Sequence, residues 1–356
     1  MQSRRPTQKD IAAIAGVNPA TVSMALNNHP HIPERTRNRI RKIAEELNYC
    51  PDPMLSALAA YRKRSRPVSF HGTLAWVANA TKNGWLQNPH FARYYEGACQ
   101  QAQRHGYRIE PFHLKEPGLS SRRLASIFHA RSIRGLLFGP QPEPNAEIAF
   151  PFERFAAVAF GHGLARPLLH SVATAHFRAT VQVIERLKAL GYRRIAHTMT
   201  AFQDRKVGYH CLAGYLLEQF LSRDELIVPS VDLDYDPPAF QRWFKKTKPD
   251  AIVTGNLRIL PMLEKLGLRV PDDVGVACPC LPCGEGVLSG ISEDAVNIGR
   301  VAVDTLVALL LSDECGVPAQ PRKVLVEGSW IEGGTVVRQP GATCPAGVDS
   351  EKREGI

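Results

Sequence analysis

The chain has 356 residues, 44% of them hydrophobic and 22% charged, which is too long for one compact core and predicts two or three domains of an ordinary soluble protein. No run of 18 apolar residues occurs, and no apolar segment of signal-peptide length follows Arg4 and Arg5, so a cytosolic location is expected. Eight scattered cysteines argue against a disulfide framework, and the net charge of +10 is unevenly placed: residues 1–66 hold twelve Lys/Arg against five acids. A basic module of that kind is the footprint of a phosphate-backbone partner, although a solvated basic helix face carries the same charge.

The pattern inside the basic segment separates these readings. Residues 7–27 predict two short helices broken at Gly16, a position tolerant of positive φ. The first helix places Ile11, Ile14 and Ala15 on one face, with small Ala12 and Ala13 allowing a close crossing. Asn18 offers a side-chain oxygen to the amides of the next helix, and Pro19 suits its first position. In that second helix Val22 and Leu26 pack inward, leaving Pro19, Ala20, Ser23, Met24 and Asn27 outward or at the rim. Ile40, Ile43, Ala44 and Leu47 mark a third helix over 34–48, with Arg35, Arg37, Arg39, Arg41 and Lys42 mostly off its apolar stripe. Such a trihelical unit is shaped to set its second helix in the major groove of DNA. Prolines then bound a helix of roughly nine residues within 51–62, too short to be stable without something packed on it.

From Val68 the pattern becomes βαβ. Strands are predicted at 72–78, 107–112, 135–139 and 155–160, with helices at 91–106 and 120–131. A second series starts near His176: helix 176–190, strand 194–198, helix 205–221, strand 231–233, helix 238–246, strand 251–254, helix 258–266 and strand 274–277. Two parallel-sheet units side by side create a cleft at their strand ends for a small ligand. No phosphate-binding glycine loop, zinc-protease motif or nucleophile elbow is present, and Gly161-His-Gly163 lacks a paired acid, so an enzyme is not expected.

With these pieces in place the chain resembles the LacI/GalR (lactose/galactose repressor) family. The residues that carry the resemblance are 9–17, Thr21-Val-Ser23, Leu26-Asn27, Thr36-Arg37 and Leu47-Asn-Tyr49, then the segment 51–62 and, downstream, 190–196, 205–209, 248–252 and 270–276. The resemblance implies an all-α helix-turn-helix domain (1–50), a hinge helix and linker (51–67), and a two-lobed α/β effector domain like type I periplasmic binding proteins, with parallel sheets. Its first lobe is 68–171 and 296–325, its second 172–295 and 326–340, and 341–356 is a polar tail. It further implies a homodimer, or a tetramer, acting as a repressor on a near-palindromic double-stranded DNA operator under control of a sugar or related metabolite, without cofactor or metal. A solute-binding protein of the same two-lobed build is the other reading.

By family position, Pro19, Ala20 and Met24 are the base-reading residues, and Asn18, Thr21, Ser23, Asn27 and Thr36 the backbone contacts. None of the three base readers makes a bidentate hydrogen bond to a base, so readout leans on thymine methyls and DNA shape. Leu58 falls where relatives insert a leucine into the minor groove, its other reading being dimer packing. The expected effector residues are Phe91, Arg205, Tyr235, Asn256 and Cys280. Leu257 and Cys278-Pro-Cys-Leu-Pro-Cys283 stand where sugar-binding relatives commonly place acids. An aromatic platform with one arginine suits a planar or acidic molecule, with modified sugars left open. Phe91 and Tyr235 are otherwise packing residues, Arg205 an ion-pair partner, and Cys278, Cys280 and Cys283 a metal or redox set or plain packing.

Overall fold

A computed structural model describes residues 6–26, 32–47, 49, 70–82, 89–222, 236–256, 258–282 and 287–340. Asn27, Leu58, Tyr235, Leu257, Cys283, the 51–62 helix, strand 231–233 and the tail lie outside them.

Three helices, α1 (Gln8–Ala15), α2 (Pro19–Leu26) and α3 (Glu34–Glu46), share one small core of Ile11, Ala12, Ala15, Val22, Ala25, Ile32, Ile40 and Ala44. The Asp10 carboxylate accepts the Thr7 backbone N–H and hydroxyl, both at 2.6 Å, and so closes the start of α1. Gly16 ends that helix in the left-handed region at φ +62°. Ala12 is the inward residue where Ile14 was expected, and Ile14 is 59% exposed. The face turns because α2 and α3 both close on the side carrying Ile11 and Ala15.

The first sheet has the order β12-β7-β5-β3-β1-β2, all parallel: β1 (Gly72–Ala78), β2 (Tyr107–His113), β3 (Gly135–Phe138), β5 (Ala156–Phe160), β7 (His170–Thr174) and β12 (Lys323–Val326). Short β4 (Ala146–Glu147) and β6 (Leu164–Arg166) pair with each other. One face is covered by α4 (Pro89–Arg104) and α11 (Ala295–Ser312), the other by α5 (Ser121–Ala130) and an aromatic layer of Phe112, Phe128, Phe138, Phe150, Phe152 and Phe155. By length and composition alone α11 could cross a membrane, but eight of its residues, among them Ile298, Val303 and Leu306, are buried in this core.

The second sheet has the order β13-β11-β10-β9-β8, with β8 (Ile195–His197), β9 (Ala251–Val253), β10 (Gly275–Leu281) and β11 (Ser289–Ser292) parallel and β13 (Trp330–Ile331) antiparallel at the edge. Helices α6 (His176–Ala189) and α8 (His210–Leu221) pack together beside it, while α9 (Pro237–Thr247) and α10 (Ile259–Lys265) supply Phe240, Ile259 and Leu263 to a second apolar cluster. The chain passes between the sheets three times, after β7, before α11 and after β12. Two expectations need correction here. The helix expected over 205–221 is α7 (Ala201–Lys206) and α8, separated where Gly208 (φ +65°) and Tyr209 (φ +60°) are both left-handed. The strand expected over 274–277 runs on to Leu281, because β11 continues the pairing past Pro279.

Candidate nucleic-acid interface and inter-lobe cleft

In α2 the core takes only Val22 and Ala25, so Pro19 and Ala20 are exposed and Thr21, Ser23, Met24 and Leu26 half-buried. Met24 lies against the rim of the helical core, which limits how far it reaches outward. The Asn18 side chain accepts the Ala20 amide at 2.9 Å, as a cap should, while the Asn18 carbonyl accepts the next two amides, those of Thr21 at 2.8 Å and Val22 at 3.2 Å. Thr36 is half-buried in the first turn of α3. Arg39 donates to the Ala15 carbonyl at 3.0 Å, so this basic residue braces the end of α1, a role that charge counting cannot see.

Strand ends of both sheets assemble the cleft. From the first lobe, Asn79 donates to Gln141 at 2.9 Å, and Gln141 donates to the Gly139 carbonyl at 2.8 Å. Glu293, at a crossover between the sheets, accepts the Thr174 hydroxyl at 2.8 Å and also the Tyr94 hydroxyl. Burial and the neighbouring Glu293 carboxylate hold the Tyr94 phenol well above its ordinary pKa, so it stays a donor. Phe91 is half-buried in the first turn of α4, and the Lys206 ammonium from α7 lies 5.2 Å from its ring centre and 5.8 Å from that of Phe202. That cation–π contact bridges the lobes. Burial pulls the Lys206 pKa down, partly countered by Glu143 and Glu293.

Among the expected effector residues, Phe91 meets the second lobe through Lys206, not through Arg205, whose exposed side chain bonds the Ala201 carbonyl at 3.1 Å. The Asn256 side chain caps the Arg258 amide at 3.0 Å at the entry to α10. Cys280 is a half-buried free thiol, and hydrogen bonding with the Cys278 side chain, together with burial, pushes its pKa well above the ordinary value. Tyr94, Gln141, Thr174, Lys206 and Glu293 escaped the sequence reading. Their only signal is position at strand ends and crossovers, which requires the topology.

Asp204 is wholly buried, and among the described residues neither carboxylate oxygen has a hydrogen-bond partner. Burial pushes its pKa up to about 6. An acid whose folded pKa exceeds its unfolded one favours the fold most below the unfolded value, and that contribution is lost as pH rises from 3.8 to about 6. Asp204→Asn is therefore expected to raise the Tm at pH 8 and leave it almost unchanged at pH 4. Equal Tm values for the two proteins at pH 8 would show that Asp204 is solvated.

Residues 7–52 match the LacI family of bacterial regulatory proteins, and residues 184–336 match the periplasmic binding protein-like domain. The chain joins a LacI-family DNA-binding segment to a periplasmic binding protein-like domain. The HTH-type transcriptional regulator CelR of Thermobifida fusca is 28% identical over 91% of this chain and 96% of its own length. KdgR of Bacillus subtilis is 27% identical (88% and 93%), and the repressor CytR of Escherichia coli K12 is 26% identical (88% and 91%). The fold matches a CelR–cellobiose complex with a TM-score of 0.53 at 21% identity, covering 93% of this chain and all of that one. It also matches a lac repressor dimer bound to operator and the anti-inducer ONPF, with a TM-score of 0.51 at 20% identity, covering 94% and 100%. The chain is a DNA-binding transcriptional regulator and not an enzyme, and because the match includes the DNA-binding segment, a stand-alone solute binder is not favoured.

Proposed function

We propose that this LacI-family regulator is a homodimeric repressor that sets paired α2 helices into successive major grooves of a near-palindromic operator and is controlled by a sugar or related metabolite in the inter-lobe cleft. The observation that carries the DNA reading is α2 itself, whose core side is spent on Val22 and Ala25 while Pro19 and Ala20 face solvent. Pro19, Ala20 and Met24 read bases by apolar contact and shape, and Asn18, Thr21, Ser23, Asn27 and Thr36 hold the backbone. Leu58 wedges the central minor-groove step from the hinge helix. The domain limits are those set by the resemblance, moved only so that β7 and β12 stay whole in the first lobe's sheet, and the protein works on chromosomal DNA in the cytoplasm.

The effector reading draws on the CelR–cellobiose complex, a structural relative that carries its ligand, and on the cleft set of Phe91, Tyr94, Gln141, Lys206 and Glu293, with Arg205, Tyr235, Asn256 and Cys280 retained as effector residues by family position. Lobe closure that shifts the hinge helices needs a coupling of only ~1–3 kcal/mol to change operator affinity roughly 5- to 150-fold. Met24→Arg is expected to move operator preference at one symmetric pair of positions toward guanine, worth about 1–3 kcal/mol of discrimination there. Selection from random duplexes that returned one motif for both proteins would remove Met24 from the base readers.

A further inference from the structure

The turn Gly161-His162-Gly163 leaves β5 and enters a cluster that the regulator's mechanism does not use. The His162 ring centre lies 4.5 Å from that of His210 and 5.5 Å from that of His176. Its Nε2 is 3.3 Å from the Thr174 carbonyl oxygen, and its Nδ1 is 3.3 Å from Lys323 Nζ. A carbonyl only accepts, so Nε2 carries the proton, and Nδ1 is left to accept from the ammonium. Lys323 and His162 belong to the first sheet's lobe, whereas His176 and His210 open α6 and α8 of the second. Left-handed Gly208 (φ +65°) lies beside both rings: a Cβ at that position would be in ordinary contact, 3.4 Å from His210 Cδ2 and 3.7 Å from His162 Cβ.

We propose that His162, His210 and Lys323, backed by His176, form a binding site for a phosphate-type dianion that ties the two lobes together. The first support is missing counter-charge. Among the described residues, His162, His210 and Lys323 contact no carboxylate, and Lys323 has only a neutral imidazole as partner. Burial and the neighbouring His176, Lys323 and His210 push the His162 pKa down to about 3, and burial with Lys323 lowers that of His210. Among the described residues, the titratable groups that bear on His162 are thus His176 of α6, Lys323 of β12 and His210 of α8, each cationic or able to become so. The second support is access: Lys323 is exposed, and His162 and His210 are half-buried. Neither α6 (14 residues) nor α8 (12 residues) has a side-chain cap, so their positive ends add to the field. Among the described residues no group of three or more His, Cys, Asp and Glu is arranged to hold a metal ion.

The dianion takes hydrogen bonds from Lys323 Nζ and His210. His162 then gains a solvent proton on Nδ1, exchanging acceptance from Lys323 for donation to the anion, and binding is accompanied by proton uptake. Sulfate, doubly charged across the range, is therefore expected to bind the full-length protein more tightly at pH 6.5 than at pH 8.0 in calorimetry against chloride at equal ionic strength. Inorganic phosphate, glucose 6-phosphate and glucose are the further arms. Lys323→Gln and His210→Asn are each expected to weaken sulfate and phosphate roughly tenfold or more, with the Tm in chloride unchanged. Binding of inorganic phosphate that both variants weaken supports a free ion. Binding of glucose 6-phosphate, but neither phosphate nor glucose, with the same sensitivity supports a phosphate carried on a metabolite. No binding of any of the anions, or binding that both variants retain, overturns the proposal. Operator binding is measured in parallel in chloride, and its absence in the unsubstituted protein would count against the proposed function instead.

Discussion

Gly97→Val is expected to destabilise the first lobe by about 3 kcal/mol or more, a fall in Tm of roughly 6–12 °C for a domain of this size. A Cβ at Gly97 would sit 1.9 Å from the Val296 carbonyl oxygen and 2.7 Å from its carbon. One at Gly299 would sit 2.2 Å from the Tyr94 carbonyl oxygen and 2.7 Å from the Ala98 nitrogen. The obstructing atoms are backbone in both cases, so no rotamer change makes room and α4 must separate from α11. The two glycines let these helices cross backbone to backbone, which buries Ala98, Ala102, Ile298, Ala302 and Val303 in the seam. The same crossing seats Tyr94 on Glu293, so the cleft loses its geometry with the core. Thermal unfolding is the measurement, and a Gly97→Val protein melting within 1 °C of wild type would show that the helices do not cross this closely.

Val22→Asp acts on the other module. Val22 is 0% exposed and packs among Ile11, Ala25 and Ile40, each also 0% exposed. A carboxylate there has no cation to pair with inside the cluster and costs several kcal/mol, on the order of all the stability a core this small provides. Operator affinity is expected to fall more than about a hundredfold, while the thermal transition of the two-lobed domain stays in place. A variant that kept operator affinity within threefold of wild type would mean that α2 is not held by this core.

The legible part of the fold was the part written in local chemistry. Gly16, Asn18 and Pro19 announce the turn between α1 and α2 by the φ, cap and missing amide that each supplies, and the structure has that turn. The βαβ series was legible because buried parallel strands leave short apolar runs, as in 72–78 and 156–160. Ile14 misled because periodicity fixes which residues share a face but not which side of that face two other helices will cover. The break within 205–221 hid behind Tyr209, a non-glycine residue in a left-handed conformation, beside a glycine that helices tolerate. β7, β11 and β12 gave little local signal, and β12 is exposed along most of its length. The cleft was harder still. Glu293, Thr174 and Tyr94 are separated by up to 199 residues and meet only where strand ends and crossovers converge. Asn256 is expected in the cleft by family position alone, and its side-chain oxygen is engaged in a cap.

The most direct test is selection of purified full-length protein against random duplexes at low ionic strength, with the motif and the stoichiometry both read. A two-fold-symmetric motif bound by two chains per duplex is expected, with affinity falling steeply as salt is raised. Recovery of sequences no more symmetric than the input pool, bound no better than scrambled competitor across the candidate metabolites, would contradict operator recognition by this chain.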